Sequence, residues 1–97
     1  MSFPLKKKKP FFSIITVVRN GENTIEKTIK SVANQTFKEF EHILIDGKST
    51  DKTLEKINKY KKNISKIVSE KDRGIYDAFN KGMKLSNGEF ICIVNCG

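Results

Sequence analysis

Acids and bases recur in this chain at the points where apolar runs stop. Arg19-Asn20-Gly21-Glu22 follows one such run, and Asp46-Gly47-Lys48-Ser49-Thr50-Asp51 follows a second. Ser69-Glu70-Lys71-Asp72-Arg73-Gly74 follows a third, and Asn95-Cys96-Gly97 follows a fourth. Glu22, Asp46, Asp51, Glu70 and Asp72 supply five acids, and Arg19, Lys48, Lys71 and Arg73 supply four bases. Carboxylates accept hydrogen bonds from sugar and ribose hydroxyls, while lysine, arginine and helix N-termini meet phosphates. The mixture therefore suits a ligand that carries both hydroxyl and phosphate groups. Other chemistries find no support. The chain has one histidine, and its two cysteines, Cys92 and Cys96, do not make a zinc set. They are expected to be buried or terminal free thiols. Neither the dinucleotide fingerprint G-x-G-x-x-G nor the P-loop pattern is present.

Each candidate has a purely structural alternative. Asp46 either accepts from a base N–H or ribose hydroxyl, or bonds the backbone amides of Lys48 or Ser49 as a turn aspartate. Glu22 and Asp51 read as acids of helix first turns. Asp72-Arg73-Gly74 reads as a turn into a helix, with a phosphate role left open. Asp77 and Lys81 stand four apart and suit a surface ion pair. Tyr76 is expected to pack. His42, inside an apolar run, is expected at a sheet edge or half-buried, and no chemistry is assigned to it.

The elements that must position these residues alternate. Phe11 to Val18 is β-branched and nearly all apolar, as in a strand covered on both faces. From Thr24, Ile25, Ile29, Val32 and Ala33 form a helical stripe. Glu41 to Ile45 is a second strand. Ser49-Thr50-Asp51 offers a cap and an acidic first turn to a helix presenting Leu54, Ile57 and Tyr60. Ile64 to Val68 is a short third strand. Gly74 to Leu85 is a third helix, with Ala78, Phe79, Gly82 and Met83 inward and Asn87-Gly88 as its stop. Phe90 to Val94 reads as a fourth, buried strand. The order βαβαβαβ predicts an α/β class: a Rossmann-like three-layer α/β/α half-domain with a mainly parallel four-stranded sheet and right-handed crossovers. Ligands of such sheets sit outside the carboxyl ends of the strands, where the charged segments fall.

Ninety-seven residues leave room for one small domain, and 37% hydrophobic with 31% charged residues fits a globular chain. The net charge is +8, and Lys6 to Lys9 supply four of those charges. Residues 1–10 thus form a basic arm, read as a solvated terminus, and residues 11–97 form the domain. The arm lacks the aromatic–basic interleaving used to stack bases, so no nucleic acid is expected as a partner. No stretch approaches the roughly 18 apolar residues that span a bilayer, and no secretory signal is legible. The expected location is cytoplasmic, with peripheral attachment to the inner membrane face as the role open to the lysine run.

Three blocks of sequence resemble a known family. Ser13 to Glu22, Ser31 to Phe37, and Ile45 to Thr53 look like the start of a family 2 glycosyltransferase of the GT-A fold. Ser69 to Gly82 is similar to a branch found in bacterial surface-polysaccharide clusters. The resemblance covers roughly residues 11 to 95. It implies binding of a UDP- or GDP-linked sugar donor, for transfer to a glycan or lipid-linked acceptor in polysaccharide biosynthesis. Carried over, Val17, Val18, Arg19, Glu22 and Asp46 would hold the nucleoside. Asp72 and the start of the third helix would lie near the diphosphate, and Asn80 and Lys81 belong to the same motif. Many family members have a second acid after the one matching Asp46, where this chain has Gly47.

The fourth strand of the family leads into acids that bind a divalent metal. Here Asn95 fits, Cys96 replaces a small residue, and Gly97 stands where the first of those acids would be. The resemblance thus implies Mg²⁺ or Mn²⁺, while no residue of this chain is assigned as a metal ligand. The chain reads as the donor-binding half of a larger domain, truncated within its metal motif. No turnover is expected from it alone, and the catalytic residues are not assigned. The alternative is an inactive, truncated nucleotide-binding remnant. A sheet left incomplete in this way exposes an edge strand, so either a homodimer through that edge or marginal stability is expected.

Overall fold

The computed structural model describes residues 10–36 and 39–96. The basic run Lys6 to Lys9, Phe37 and Gly97 lie outside them. The strands are β1 (Phe12–Val18), β2 (Phe40–Asp46), β3 (Lys66–Ser69) and β4 (Phe90–Cys96), and the helices are α1 (Ile25–Ala33), α2 (Thr53–Lys59) and α3 (Ile75–Leu85). All three strand pairings are parallel, in the order β3-β2-β1-β4. The chain builds outward from β1 to β3, then crosses to the far side of β1. Crossovers of one hand must then place α3 on the opposite face from α1 and α2.

The two apolar cores match this division. Strand alternation sends Val18 and Leu44 to one face, where they pack with Ile25 and Ile29 of α1 and Ile57 of α2. Ile15, Val17, Ile43 and Ile45 face the other way and pack against Ala78 of α3. Ile15, Ile43, Ile45, Ile25, Ile29 and Ile57 are fully buried, each contributing about 2 kcal/mol relative to exposure. Gly82 brings α3 close to β1, because a Cβ at that position would overlap the Ile15 Cγ2 methyl. The three-layer α/β/α architecture is as the sequence predicts.

Five local expectations need correction. β4 is not buried: Phe90, Ile91 and Ile93 are 53%, 43% and 48% exposed. It is an edge strand, and none of the three helices packs substantially on it. Met83 is exposed on α3, and Tyr76 is 80% exposed rather than packed. β3 begins at Lys66, because Ile64 turns into the α1/α2 core before pairing starts. His42 is neither at an edge nor half-buried, for β2 is an interior strand. Its Nε2 meets Thr16 Oγ1 at 2.7 Å, and its Nδ1 is buried without a partner. Burial holds its pKa down to about 4. Both cysteines are free thiols, Cys96 buried and Cys92 exposed on β4. Among the described residues, no helix is long and apolar enough to cross a membrane.

The amino end of the sheet ties its polar groups together. Ser13 Oγ donates to Glu41 Oε2 at 2.6 Å, the Asn87 N–H donates to the same oxygen, and Lys66 Nζ lies 3.6 Å from Oε1. Burial works against the Glu41 charge, but these donors outweigh it and hold the carboxyl below its ordinary range.

Candidate functional site

At the carboxyl end of the sheet the loops part around a cavity of about 510 Å³, a size that suits a small ligand. Val17 and Val18 from β1, Arg19 just after it, and Asn95 and Cys96 from β4 line one part. Gly47, Lys48 and Thr50 from the β2–α2 turn, and Lys71, Asp72, Gly74, Ile75 and Ala78 from the β3–α3 connection, line the rest. The cavity spans the point between β1 and β4 where the chain reverses its direction of growth, which is where parallel sheets of this kind open a crevice.

Local hydrogen bonds set the walls. Asn20, in a left-handed conformation at φ 52°, latches the β1–α1 turn to the β2–α2 turn. Its N–H donates to Ser49 Oγ at 2.8 Å, and its Oδ1 accepts the Thr50 N–H at 2.8 Å. Asp46 is fully buried beneath these turns. Its Oδ2 accepts the Ser49 N–H at 3.1 Å and the Ser69 hydroxyl at 2.8 Å, and its Oδ1 accepts the Ser49 hydroxyl. Asp46 therefore does what a turn aspartate does, and it also pins the end of β3. Lys48, at φ 56°, swings out beside it.

The third connection is held by α3. Gly74 adopts φ 114°, a conformation open to glycine and strained for other residues, just before the helix starts. The Asp72 Oδ1 accepts the Gly74 N–H at 3.1 Å, and the Asp77 carboxylate accepts the Arg73 N–H at 2.9 Å. Lys81 Nζ donates to the Lys71 carbonyl at 2.9 Å and pairs with Glu70 at 3.1 Å and Asp77 at 3.5 Å. The partial burial of the Lys81 ammonium opposes its charge, but the two carboxylates prevail and raise its pKa.

Of the residues singled out from sequence, Val17, Val18, Arg19, Asp72 and Asn95 line the cavity. Asp46 lies below it. Glu22 lies away from it, on the side of α2, where its N–H meets Asp51 and its carbonyl accepts from Lys56 Nζ. Asn80 is exposed on α3, and Lys81 supports the wall from outside. Sequence reasoning passed over Lys48, Thr50, Lys71 and Ile75 as individual site residues. Their only signal was position, at the carboxyl ends of strands.

The electrostatics favour an anion. Arg19, Lys48 and Lys71 bring three cations to the rim, and Asp72 is the one acid lining the cavity. Arg19 and Lys48 enter no ion pair among the described residues. A divalent cation is a different case. Mg²⁺ and Mn²⁺ take their protein anchor from carboxylate oxygens. Among the described residues no group of three or more histidine, cysteine or acidic side chains could hold one. The single carboxylate lining the cavity, that of Asp72, does not make that site.

Comparison with known proteins places this geometry. A PGL/p-HBAD biosynthesis glycosyltransferase of Mycobacterium bovis is 38% identical over 85 residues, which are 84% of this chain and 33% of that protein. S. aureus TarS, solved in complex with UDP-GlcNAc, matches with a TM-score of 0.80 at 31% identity, over 88% of this chain and 26% of that one. Mannosyltransferase PcManGT from Pyrobaculum calidifontis, in complex with GDP-Man and Mn²⁺, matches with a TM-score of 0.82 over 92% of this chain and 28% of that one. At 22% identity, PcManGT speaks to the fold alone. The chain spans about a third or less of the length of these relatives. The family model for glycosyl transferase family 2 matches residues 13–96, and the chain belongs to that family.

Proposed function

We propose that the cavity at the carboxyl end of the sheet binds a nucleotide-diphosphate sugar, UDP- or GDP-linked. This sugar would be the donor for transfer to a glycan or lipid-linked acceptor in surface polysaccharide synthesis. The observation that carries the reading is the grouping of Arg19, Lys48 and Lys71 with the start of α3 around one cavity in a family 2 chain. Cations and a helix N-terminus are what a diphosphate needs. TarS, which the chain matches over 26% of the TarS length, was solved with UDP-GlcNAc. Isothermal titration of the 97-residue chain with UDP and GDP tests the reading. Micromolar binding is expected, weakened by about tenfold or more in Arg19→Ala/Lys48→Ala. Absence of binding at millimolar nucleotide would overturn it.

A second reading, binding without turnover, is favoured by the single carboxylate in the cavity. It is tested by assaying sugar transfer with the purified chain and Mn²⁺, and turnover would remove it. The outer edge of β4 supports a further partner, a second copy of the chain. β4 carries no charged residue from Phe90 to Cys96, and it exposes Phe90, Ile91 and Ile93. Sedimentation equilibrium should show a dimer that Ile91→Lys/Ile93→Lys dissociates. A monomeric wild-type chain would contradict this.

A further inference from the structure

The chain has seven phenylalanines, and four of them, Phe11, Phe12, Phe40 and Phe90, meet where strands begin. The parallel register sets Phe12 opposite both Phe40 and Phe90, so one aromatic row crosses the amino end of the sheet. The Phe11 and Phe90 rings pack edge to face with centroids 5.1 Å apart, and the Phe12 ring lies 5.9 Å from Phe90. Phe11 and Phe90 are exposed. Beside Val32 of α1 the row continues into an open apolar groove of about 280 Å³, lined by Phe12, Ile14, Phe40, Cys92 and Val94. Strand alternation sends Ser13 and Glu41 to the other face, so the Glu41 network is no part of this surface. An exposed apolar patch of this kind marks an interaction surface.

Charge says which partner the patch fits. Lys6 to Lys9 lead into Pro10 and Phe11 and lie outside the described residues. Covalent geometry alone keeps Lys9 within about 7 Å of Phe11, and Lys6 within about 18 Å. Glu41 is committed to Lys66 on the other face, which leaves Glu39 and Glu89 beside the row in sequence, two acids against four lysines. We infer that the amino end of the sheet docks on an anionic lipid bilayer. The lysines meet headgroup phosphates, and Phe11 and Phe90 enter the boundary between headgroups and acyl chains. Stable attachment to a membrane surface takes two signals, and an apolar anchor beside a polybasic run supplies both. Nucleic acid fits less well. Bases stack on ring faces, and the Phe11 ring is turned edge-on to Phe12 and Phe90, at 73° and 71°. The cavity stands at the other end of seven-residue strands, roughly 20 Å away. A chain docked in this way holds its cavity clear of the surface, so the inference does not depend on what the cavity binds.

Sedimentation of the full 97-residue chain with vesicles of phosphatidylcholine, with and without phosphatidylglycerol, tests this. Wild type should bind the anionic vesicles about a hundredfold or more tighter than the neutral ones, and added salt should weaken that binding. The variant Lys6→Ala/Lys7→Ala/Lys8→Ala/Lys9→Ala should lose the preference and keep its melting temperature. Phe90→Ser should weaken anionic binding by about tenfold. The chain has no tryptophan, so Phe90→Trp and Tyr76→Trp place single fluorescent reporters at the two ends of the sheet. Emission of Phe90→Trp should shift to the blue on anionic vesicles, and that of Tyr76→Trp should not. Equal binding to the two kinds of vesicle, or none to the anionic kind, would overturn the inference. So would an undiminished preference in the four-lysine variant, a shift in Tyr76→Trp alone, or tighter binding to poly(U) RNA than to anionic vesicles.

Discussion

The two ends of the sheet use similar side chains to opposite effect. At the amino end, Glu41 is buried and engaged by Ser13, Asn87 and Lys66. At the carboxyl end, Asp72 keeps an oxygen open, and Arg19 and Lys48 lie on the rim without an ion pair among the described residues. Charge satisfied inside the fold is structural. Charge left unsatisfied around a cavity is available to a ligand, and in a parallel sheet the strand direction selects the carboxyl end for it. Asp46 shows that location alone is not enough: it stands at the carboxyl end, yet its bonding is of the amino-end kind.

The contrast can be broken from the structural side first. Glu41→Ala leaves three donors at the amino end without their acceptor and should cost about 3 kcal/mol of stability, read by urea denaturation. Nucleotide affinity per folded molecule should not change. Loss of affinity with unchanged stability would mean that the two ends do not divide structure from function.

Acid is the next lever. His42 in the fold stays neutral down to about pH 4, while the unfolded chain takes up a proton near 6.5. Between those values the unfolded state binds more protons, so stability is present above pH 6.5 and is lost as the pH falls towards 4. From pH 7 to pH 5 the loss should be about 2 kcal/mol. Glu41, with its pKa lowered in the fold, adds a further loss below its unfolded value of about 4.5. Denaturant melts at pH 7 and 5 measure the His42 part, and His42→Leu should be flat across that interval. An equally acid-sensitive His42→Leu would place the titration elsewhere.

Lys81→Ala should have the smallest effect on stability, since Lys81 pairs with exposed or half-exposed acids and a loop carbonyl. Its melting temperature should stay close to wild type. Nucleotide binding should weaken modestly, because Lys81 anchors the carbonyl of Lys71 on the cavity wall. Equal affinities would show that the wall does not need that support.

Much of this was legible in the sequence. β-branched runs at Phe12 to Val18 and Phe40 to Asp46, and the stripe at Ile25, Ile29 and Val32, are period signals that packing reinforced. Position at the carboxyl ends was legible for the same reason, since a βαβ order dictates where loops converge. What failed were properties set by neighbours rather than by the segment. The apolarity of Phe90 to Val94 says that the strand suits burial, but not that it lies at an edge of the four strands. His42 looked like an edge residue because nothing within β2 says that β1 and β3 flank it. The Gly47–Asp72 contact joins residues far apart in the chain and was invisible until the loops were assembled.

On the proposed reading, the carboxyl-end cavity takes the ligand and the amino end is scaffold. Titrating the ¹⁵N-labelled chain with UDP and following its amide resonances tests this most directly. Saturable shifts are expected at Arg19, Lys48, Asp72, Gly74 and Asn95, with Ser13, Glu41 and Asn87 unmoved. Shifts centred on the amino end, or no shifts at millimolar UDP, would contradict it.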